Sequence, residues 1–370
     1  MIIGVPKEIK DNEYRVGLTS ASVQELNNRG HNIYVEKNAG LGSGIKDEDY
    51  IKAGAIIVGT AKEVYDIAEM IIKVKEPMPS EYNLLKKNQI VFTYFHFAAD
   101  RKLTEATLER KIIAIAYETV TEGKKLPLLE PMSEIAGRIA VQEGARYLEK
   151  FLGGNGTLLG GVPGVKPGKV MILGGGVVGT NSALIAAGFR AEVVLFDVNL
   201  DRLRFLDLTM PSNVKLLISN KENLTQNLKD CDLVIGGVLI PGARAPHLIT
   251  KDMLSYMRPG SVIVDVAVDQ GGCVETCKPT THSNPVFVVD GIIHYCVANM
   301  PGAVPRTSTF ALNNSTLPYA IEIAEKGYEK AANDNKAIAY GINMINGELT
   351  CEAVGKAFGI RSEIFSQLVA

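Results

Sequence analysis

The chain has 370 residues, 46% hydrophobic and 22% charged, the balance of a globular protein too long for a single core. A net charge of −2 excludes the strong field expected of a nucleic-acid or anionic-membrane binder, and 6% aromatics without Trp offer no platform for bases or sugars. Five scattered cysteines fit reduced thiols and a cytoplasmic setting, and early charge and Pro leave no signal-peptide core.

In chain order, the apolar run Ile2–Val5 predicts a strand, and the polar loop after it carries Arg15. Thr19 or Ser20 caps a helix that ends near Gly30. Strands are expected at 31–36, 55–58, 70–74, 90–95 and 112–117, with helices at 50–53, 61–65, 80–87 and 103–110 between them. Strands alternating with helices at this spacing indicate a parallel sheet covered by helices. From Pro131 a long helical pattern begins, with Ser133 as its expected N-cap. A Gly-rich, nearly uncharged segment, 153–165, follows, and its Leu and Val content predicts a loop packed near a cofactor.

Residues 169–197 organise the rest. Apolar 170–173 ends in Gly174, Gly176 and Gly179, the pattern G-x-G-x-x-G, and an Ala-rich helix and a second strand lead to Asp197. Strand, turn, helix, strand and terminal acid in this order point to a dinucleotide site. Gly174 permits the turn, Gly176 lets backbone approach a pyrophosphate, and Gly179 lets helix pack on strand. Asp197 is placed to accept the ribose hydroxyls and to repel a 2′-phosphate, which favours NAD over NADP. Further strands are expected at 215–219, 233–238, 262–266 and 286–289, with helices at 224–228, 251–257, 317–333 and 351–358. The helices after Arg306 show no strands of their own to cover. The expected fold is therefore α/β, with two Rossmann-like doubly wound domains and a cleft between them. A discontinuous substrate domain takes residues 1–130 and 305–370, and an NAD-binding domain takes 131–304.

Several polar residues fall at the carboxyl ends of expected strands, where ligand groups collect in such sheets. Lys75 ends one strand, His96 another, and Asp269 follows a third; Arg15 comes from the first loop. Arg15 offers a bidentate grip on a carboxylate, Lys75 a compact ammonium, and His96 a proton carrier near neutrality. Spacing alone leaves alternatives open. Lys73 and Lys75 share a strand and fit a solvated face, Arg15 fits a surface loop, and Asp265 competes with Asp269. Cys273, Cys277 and His282 lack the second half of a zinc site, so no metal is expected.

These residues also carry a family resemblance. The opening MIIGVPKEIKDNEYRVGLT, KVKEP at 73–77, the His of FTYFHFAAD, GTLLGGVPGV and GGGVVG are similar to the alanine dehydrogenase family. So are GVLIPGARAP at 237–246, VDVAVDQGG at 264–272 and VANMPGAVPRTST at 297–309. That family shares its fold with the nicotinamide-binding alpha subunit of proton-translocating transhydrogenase. The resemblance covers nearly the whole chain. It implies Arg15 and Lys75 as substrate binders, His96 as proton donor and acceptor, and Asp269 as its acid–base partner. For NAD it implies Ser133, Val177, Val178, Asp197, Ser219, Val238 and Leu239 beside the fingerprint glycines. Val266, Ala267, Val268, Asp269, Val297, Ala298, Asn299 and Met300 would line the nicotinamide, with Lys278 standing where Arg is common. The implied reaction is reversible oxidative deamination of L-alanine to pyruvate and ammonia, in a homohexamer with no nucleic-acid or membrane partner. Competing expectations are a saccharopine-type dehydrogenase and a catalytically silent NAD sensor.

Overall fold

Short runs of Ile, Val and other apolar residues, each bounded by a capped helix or a Gly/Pro turn, set the architecture. The computed structural model describes residues 1–238 and 246–363. The chain divides into two units, Met1–Met132 with the chain from Val304 onward, and Ser133–Ala303.

The first unit begins β1 (Ile2–Val5), α1 (Ser20–Asn28), β2 (Asn32–Glu36), α2 (Asp47–Lys52), β3 (Ile56–Val58) and α3 (Ala61–Ile67). It continues β4 (Met70–Ile72), β5 (Ile90–Thr93), α4 (Arg101–Arg110) and β6 (Ile113–Ala116). Thr19 caps α1 through its side chain, and Thr60 with Glu63 forms a capping box on α3. Strands β4, β5 and β6 are buried along their whole length, as expected of a parallel sheet covered on both faces. Helix α5 (Glu130–Tyr147) then leads into the second unit.

That unit contains β7 (Lys169–Leu173), α6 (Val177–Gly188), β8 (Glu192–Asp197), α7 (Leu200–Thr209), β9 (Val214–Ile218) and α8 (Lys221–Leu228). It closes with β10 (Leu233–Gly236), β11 (Val262–Asp265), β12 (Val286–Val289) and β13 (Ile292–Tyr295). The chain returns to the first unit through α9 (Pro305–Lys326), α10 (Tyr328–Asp334), α11 (Lys336–Gly341), β14 (Ile342–Ile345), β15 (Glu348–Leu349) and α12 (Glu352–Phe358).

The first sheet runs β3-β2-β1-β4-β5-β6-β14-β15 and the second β9-β8-β7-β10-β11-β13-β12. The first contains the doubly wound order 3-2-1-4-5-6 and the second runs 3-2-1-4-5-7-6, so each has a point where the order reverses, between β1 and β4 and between β7 and β10. Pairing is parallel except for β14, β15 and β12, which run antiparallel to their neighbours. Among the described residues, no helix is long and apolar enough to cross a membrane.

Several expectations are corrected. Residues 80–87 form only a 3₁₀ turn at Tyr82–Leu84, because Glu81 is committed to Lys73, Tyr65 and the Met78 amide instead of a helical face. The segment at 251–257 is a 3₁₀ helix, Lys251–Tyr256. Strands do follow Arg306: β14 joins β6, and Asn346 and Gly347, both at positive φ, turn the chain into β15. Helix α9 starts earlier than expected because Pro305 sits at its first position, where a missing N–H costs nothing. Ser133 lies inside α5, which begins at Glu130, so it is not an N-cap. Helix α7 and strand β13 carry no clear signal in the sequence.

The Gly-rich segment also sits elsewhere. The Asn155 side chain and Thr157 hydroxyl donate to Asp232, at 2.9 and 3.2 Å, and the Asn155 amide donates to the Gly260 carbonyl. Asp232 precedes β10 and also accepts the Lys169 amide that opens β7. The segment therefore covers the amino ends of these strands, away from the fingerprint at their carboxyl ends.

The return of the chain is pinned by Asn313 on α9, only 2% exposed. Its carbonyl oxygen accepts the Thr19 amide and the Ser22 hydroxyl at 2.8 and 3.0 Å, and its amide donates to the Gly17 carbonyl at 3.1 Å. Asn313→Ala leaves these buried groups unsatisfied. We expect it to destabilise the protein by about 2–4 kcal/mol, read as a lower thermal midpoint; an unchanged midpoint would show that the pin carries no stability.

Candidate active site

In the first unit the expected side chains come from three loops around the reversal point. Arg15 follows β1, Lys75 follows β4, and His96 follows β5. The first loop lies close against β4: a Cβ on Gly17 would stand 2.4 Å from the Ile72 carbonyl oxygen.

Arg15 is 2% exposed. Its Nε and Nη2 donate to the two carboxylate oxygens of Glu13 at 2.7 and 2.6 Å, and Nη1 approaches the Met132 sulfur at 3.2 Å. The bidentate pair fixes the plane of the guanidinium in a buried position. A solvated surface arginine is thereby ruled out.

Lys73 and Lys75, for which a solvated face was one alternative, are both buried, for different reasons. Lys73, fully buried, donates to Glu81 at 2.9 Å and pairs with Glu8 at 3.3 Å. Two carboxylates outweigh the cost of burial and hold it charged, so it is structural. Lys75 is 8% exposed, and burial first, then the Arg15 cation, push its pKa below the ordinary lysine value. Arg15 and Lys75 follow the adjacent strands β1 and β4, at the same end of the sheet. The Glu8 carboxylate also accepts the Val74 and Lys75 amides, at 2.6 and 3.1 Å, tying the Lys75 backbone to the first loop.

His96 has left-handed backbone, φ 53° and ψ 38°, which costs a non-glycine residue some strain. Its amide donates to Glu118 Oε1 at 2.5 Å, and the Phe95 amide donates to the same carboxylate at 3.2 Å. The imidazole is exposed and stacks on Tyr94, with centroids 5.9 Å apart and planes 5° from parallel. Tyr94 donates its hydroxyl to the Leu128 carbonyl and lies near Arg15. The unit thus brings Arg15, Lys75 and His96 to one end of its sheet. Of the glutamates that hold them, Glu8 and Glu13 lie in the opening stretch without being singled out there, and Glu118 lies in no motif. A hollow of about 350 Å³ lined by Glu122, Tyr319 and Glu322 contains none of these side chains.

In the second unit the fingerprint forms the turn between β7 and α6. Gly174 has φ 94°, a left-handed conformation natural to glycine. A Cβ on Gly179 would lie 1.8 Å from the Gly174 carbonyl oxygen, so only glycine allows this packing. A Cβ on Gly176 would meet no protein atom within 4 Å beyond its chain neighbours, so packing does not require glycine there. No side chain caps α6, whose first amides stay available to an anion.

Asp197, half-buried at the end of β8, accepts the Gly175 amide at 2.7 Å and the Asn199 amide at 2.8 Å. Arg202 braces the same turn, donating to the Gly175 carbonyl at 2.6 Å and to the Thr180 hydroxyl at 2.8 Å. Half-buried Val177 and Val178 open α6, and Ser219 follows β9, its amide donating to the Asp197 carbonyl. Val238 follows β10, with its amide directed at the Cys273 sulfur. Leu239 lies outside the described residues. Ser133 is on α5 near Gly137, whose Cβ would meet the Val178 carbonyl oxygen at 2.3 Å.

Burial separates Asp265 from Asp269. Asp265 is fully buried and accepts the Ala267, Cys273 and Val274 amides at 3.0, 2.8 and 3.1 Å. It shapes the loop, although burial still pushes its pKa up. Asp269 stands exposed on the 3₁₀ turn Val268–Gln270 that this loop presents, beside Val266 and the buried Ala267. Lys278 lies over the Phe287 ring, 4.9 Å from its centroid. Val297, Ala298, Asn299 and Met300 follow β13, with Asn299 at φ 68° and its carbonyl facing His282 Nε2 at 3.1 Å. Among the described residues, no group of three or more His, Cys, Asp or Glu is arranged to hold a metal ion.

Comparison with known proteins gives one consistent answer. Residues 4–136 match the N-terminal domain family of alanine dehydrogenase/PNT, and residues 140–352 match the C-terminal domain family. Alanine dehydrogenase of Methanococcus maripaludis is 58% identical over 359 residues, 96% of this chain and 96% of that protein. Alanine dehydrogenase of Bacillus subtilis is 56% identical, over 97% of this chain and 95% of that protein. A solved L-alanine dehydrogenase superposes with a TM-score of 0.95 at 54% identity, covering 97% of this chain and 99% of that one.

The two glycines separate fold from ligand. Gly176→Ala should keep the wild-type thermal midpoint and weaken NADH binding by about tenfold or more, measured by fluorescence titration. Gly179→Ala should lower the midpoint as well. If Gly176→Ala binds NADH normally, the fingerprint does not cradle a phosphate.

Proposed function

The chain belongs to the alanine dehydrogenase/PNT family, and on that premise we propose that it catalyses NAD-dependent, reversible oxidative deamination of L-alanine to pyruvate and ammonia. The observation that carries this reading is the gathering of buried Arg15 and Lys75 with exposed His96 at one end of the first sheet. Two cations and a proton carrier suit a small 2-amino or 2-oxo acid.

In this reading the first unit serves as the substrate domain and the second as the NAD-binding domain. Gly174, Gly176, Gly179 and the first turn of α6 hold the pyrophosphate, Asp197 the adenosine ribose, and Ser219, Val238 and the loops at 266–269 and 297–300 the remainder. The residues fit the group, since α6 lacks a side-chain cap and Gly176 faces no protein atom. Bound NAD supplies the acceptor for the hydride on the substrate Cα.

Arg15, its plane fixed by Glu13, and Lys75 bind the substrate carboxylate and orient the Cα. Loss of the hydride leaves an iminium on the substrate carbon. His96 takes a proton from the water that adds there and returns one as the amine departs, while Asp269 serves as the second acid–base group. The enzyme works as a cytoplasmic homo-oligomer.

Purified protein should reduce NAD with L-alanine, and His96→Ala should lose about 100-fold or more in kcat while binding NADH normally. Near-full turnover in that variant would remove the proton role. A pH series tests Lys75. Its protonated form binds the carboxylate, and its pKa is lowered, so the pyruvate KM should rise as pH climbs through a value below the ordinary lysine range. Lys75→Arg, which stays charged, should move that limb to higher pH; an identical limb would assign it to another group.

A further inference from the structure

We propose that Glu118 is the positioning residue of His96, acting by accepting the backbone amides that hold the histidine in its left-handed conformation. The inference rests on the reading of His96 as proton carrier and adds a residue that no motif marks.

Three observations converge. His96 has φ 53° and ψ 38°, a conformation that L side chains resist, in a turn containing no glycine. Both oxygens of Glu118 face the Phe95 amide at 3.2 Å, and Oε1 also takes the His96 amide at 2.5 Å. Glu118 itself is fixed, since it lies two residues past β6, which pairs in register with β5 from Ile90 to Thr93. The carboxylate thus bridges two adjacent strand ends. It converges two amides that would otherwise lose their partner as the chain leaves the sheet.

The geometry determines where the imidazole stands. With the backbone left-handed, the ring lies parallel to Tyr94, whose own hydroxyl is tied to Leu128. Relaxation of His96 to extended backbone would swing the ring off Tyr94 and out of the position in which the proposed proton transfer uses it. The proton transfer, not substrate binding, therefore depends on Glu118. Because the function required is acceptance of two N–H groups, the amide oxygen of Gln is an adequate substitute and an alkyl side chain is not.

The full-length protein, Glu118→Ala and Glu118→Gln decide the matter. Glu118→Ala should lose about 10- to 100-fold in kcat with the alanine KM within about twofold, and NADH binding should be unchanged. Glu118→Gln should recover kcat to within about threefold of wild type. Hydrogen exchange of a peptide containing Phe95 and His96 should become fast in Glu118→Ala and remain slow in Glu118→Gln. If Glu118→Ala does not fold, Glu118→Met, which keeps the length without an acceptor, takes its place. The proposal is overturned if kcat survives loss of the acceptor, or if Gln rescues neither kcat nor exchange in a folded protein. Failure of the wild type to oxidise L-alanine would instead defeat the functional reading, while the exchange comparison would still decide the clamp.

Discussion

Carboxylates that accept backbone amides at strand ends hold this structure's working parts in place. A chain leaving a parallel sheet exposes N–H groups that the ladder no longer satisfies, and a buried loop has no water to replace it. Glu8 collects the amides of Val74 and Lys75, Glu118 those of Phe95 and His96, Asp197 those of Gly175 and Asn199, and Asp265 three amides of the loop around Asp269. Hydrogen bonds to a charged acceptor contribute roughly 1.5–3 kcal/mol each, enough to hold loops that propensity alone would leave mobile. Burial raises the pKa of Glu8 and Asp265, and at Glu8 the Lys73 cation opposes the rise. The side chains on these loops are thus presented by a rigid frame.

The same frame occurs twice. Both sheets contain the order 3-2-1-4-5, and in both the reversal point is flanked by the loops that matter. In the first, those loops carry Arg15 and Lys75; in the second, the fingerprint and Val238. On the proposed function, one topology would offer cations to a small acid and, in another unit, helix amides to a phosphate. The difference lies in the loops alone.

Much of this was legible in the sequence because it depends on local rules. The fingerprint reads directly, since Gly179 admits no Cβ and Gly174 requires positive φ. Capped helices and apolar runs placed most strands within a residue or two. What depends on distant partners was not legible. Residues 80–87 have helical composition, but Glu81 serves Lys73 instead. The β14–β15 hairpin is short and gains its stability from β6, far away in sequence. Glu8, Glu13 and Glu118 resemble surface glutamates until the amides and the guanidinium they serve are seen. The Asp265–Asp269 ambiguity was likewise one of burial, which spacing does not encode.

The central claim is that these two units serve one hydride transfer from the α-carbon of a small amino acid to a nicotinamide. L-alanine deuterated at Cα tests it most directly, with the reduced dinucleotide examined by NMR. The account predicts one deuteron at nicotinamide C4 for each pyruvate formed. Unlabelled NADH, or turnover without a stoichiometric dinucleotide product, would contradict it.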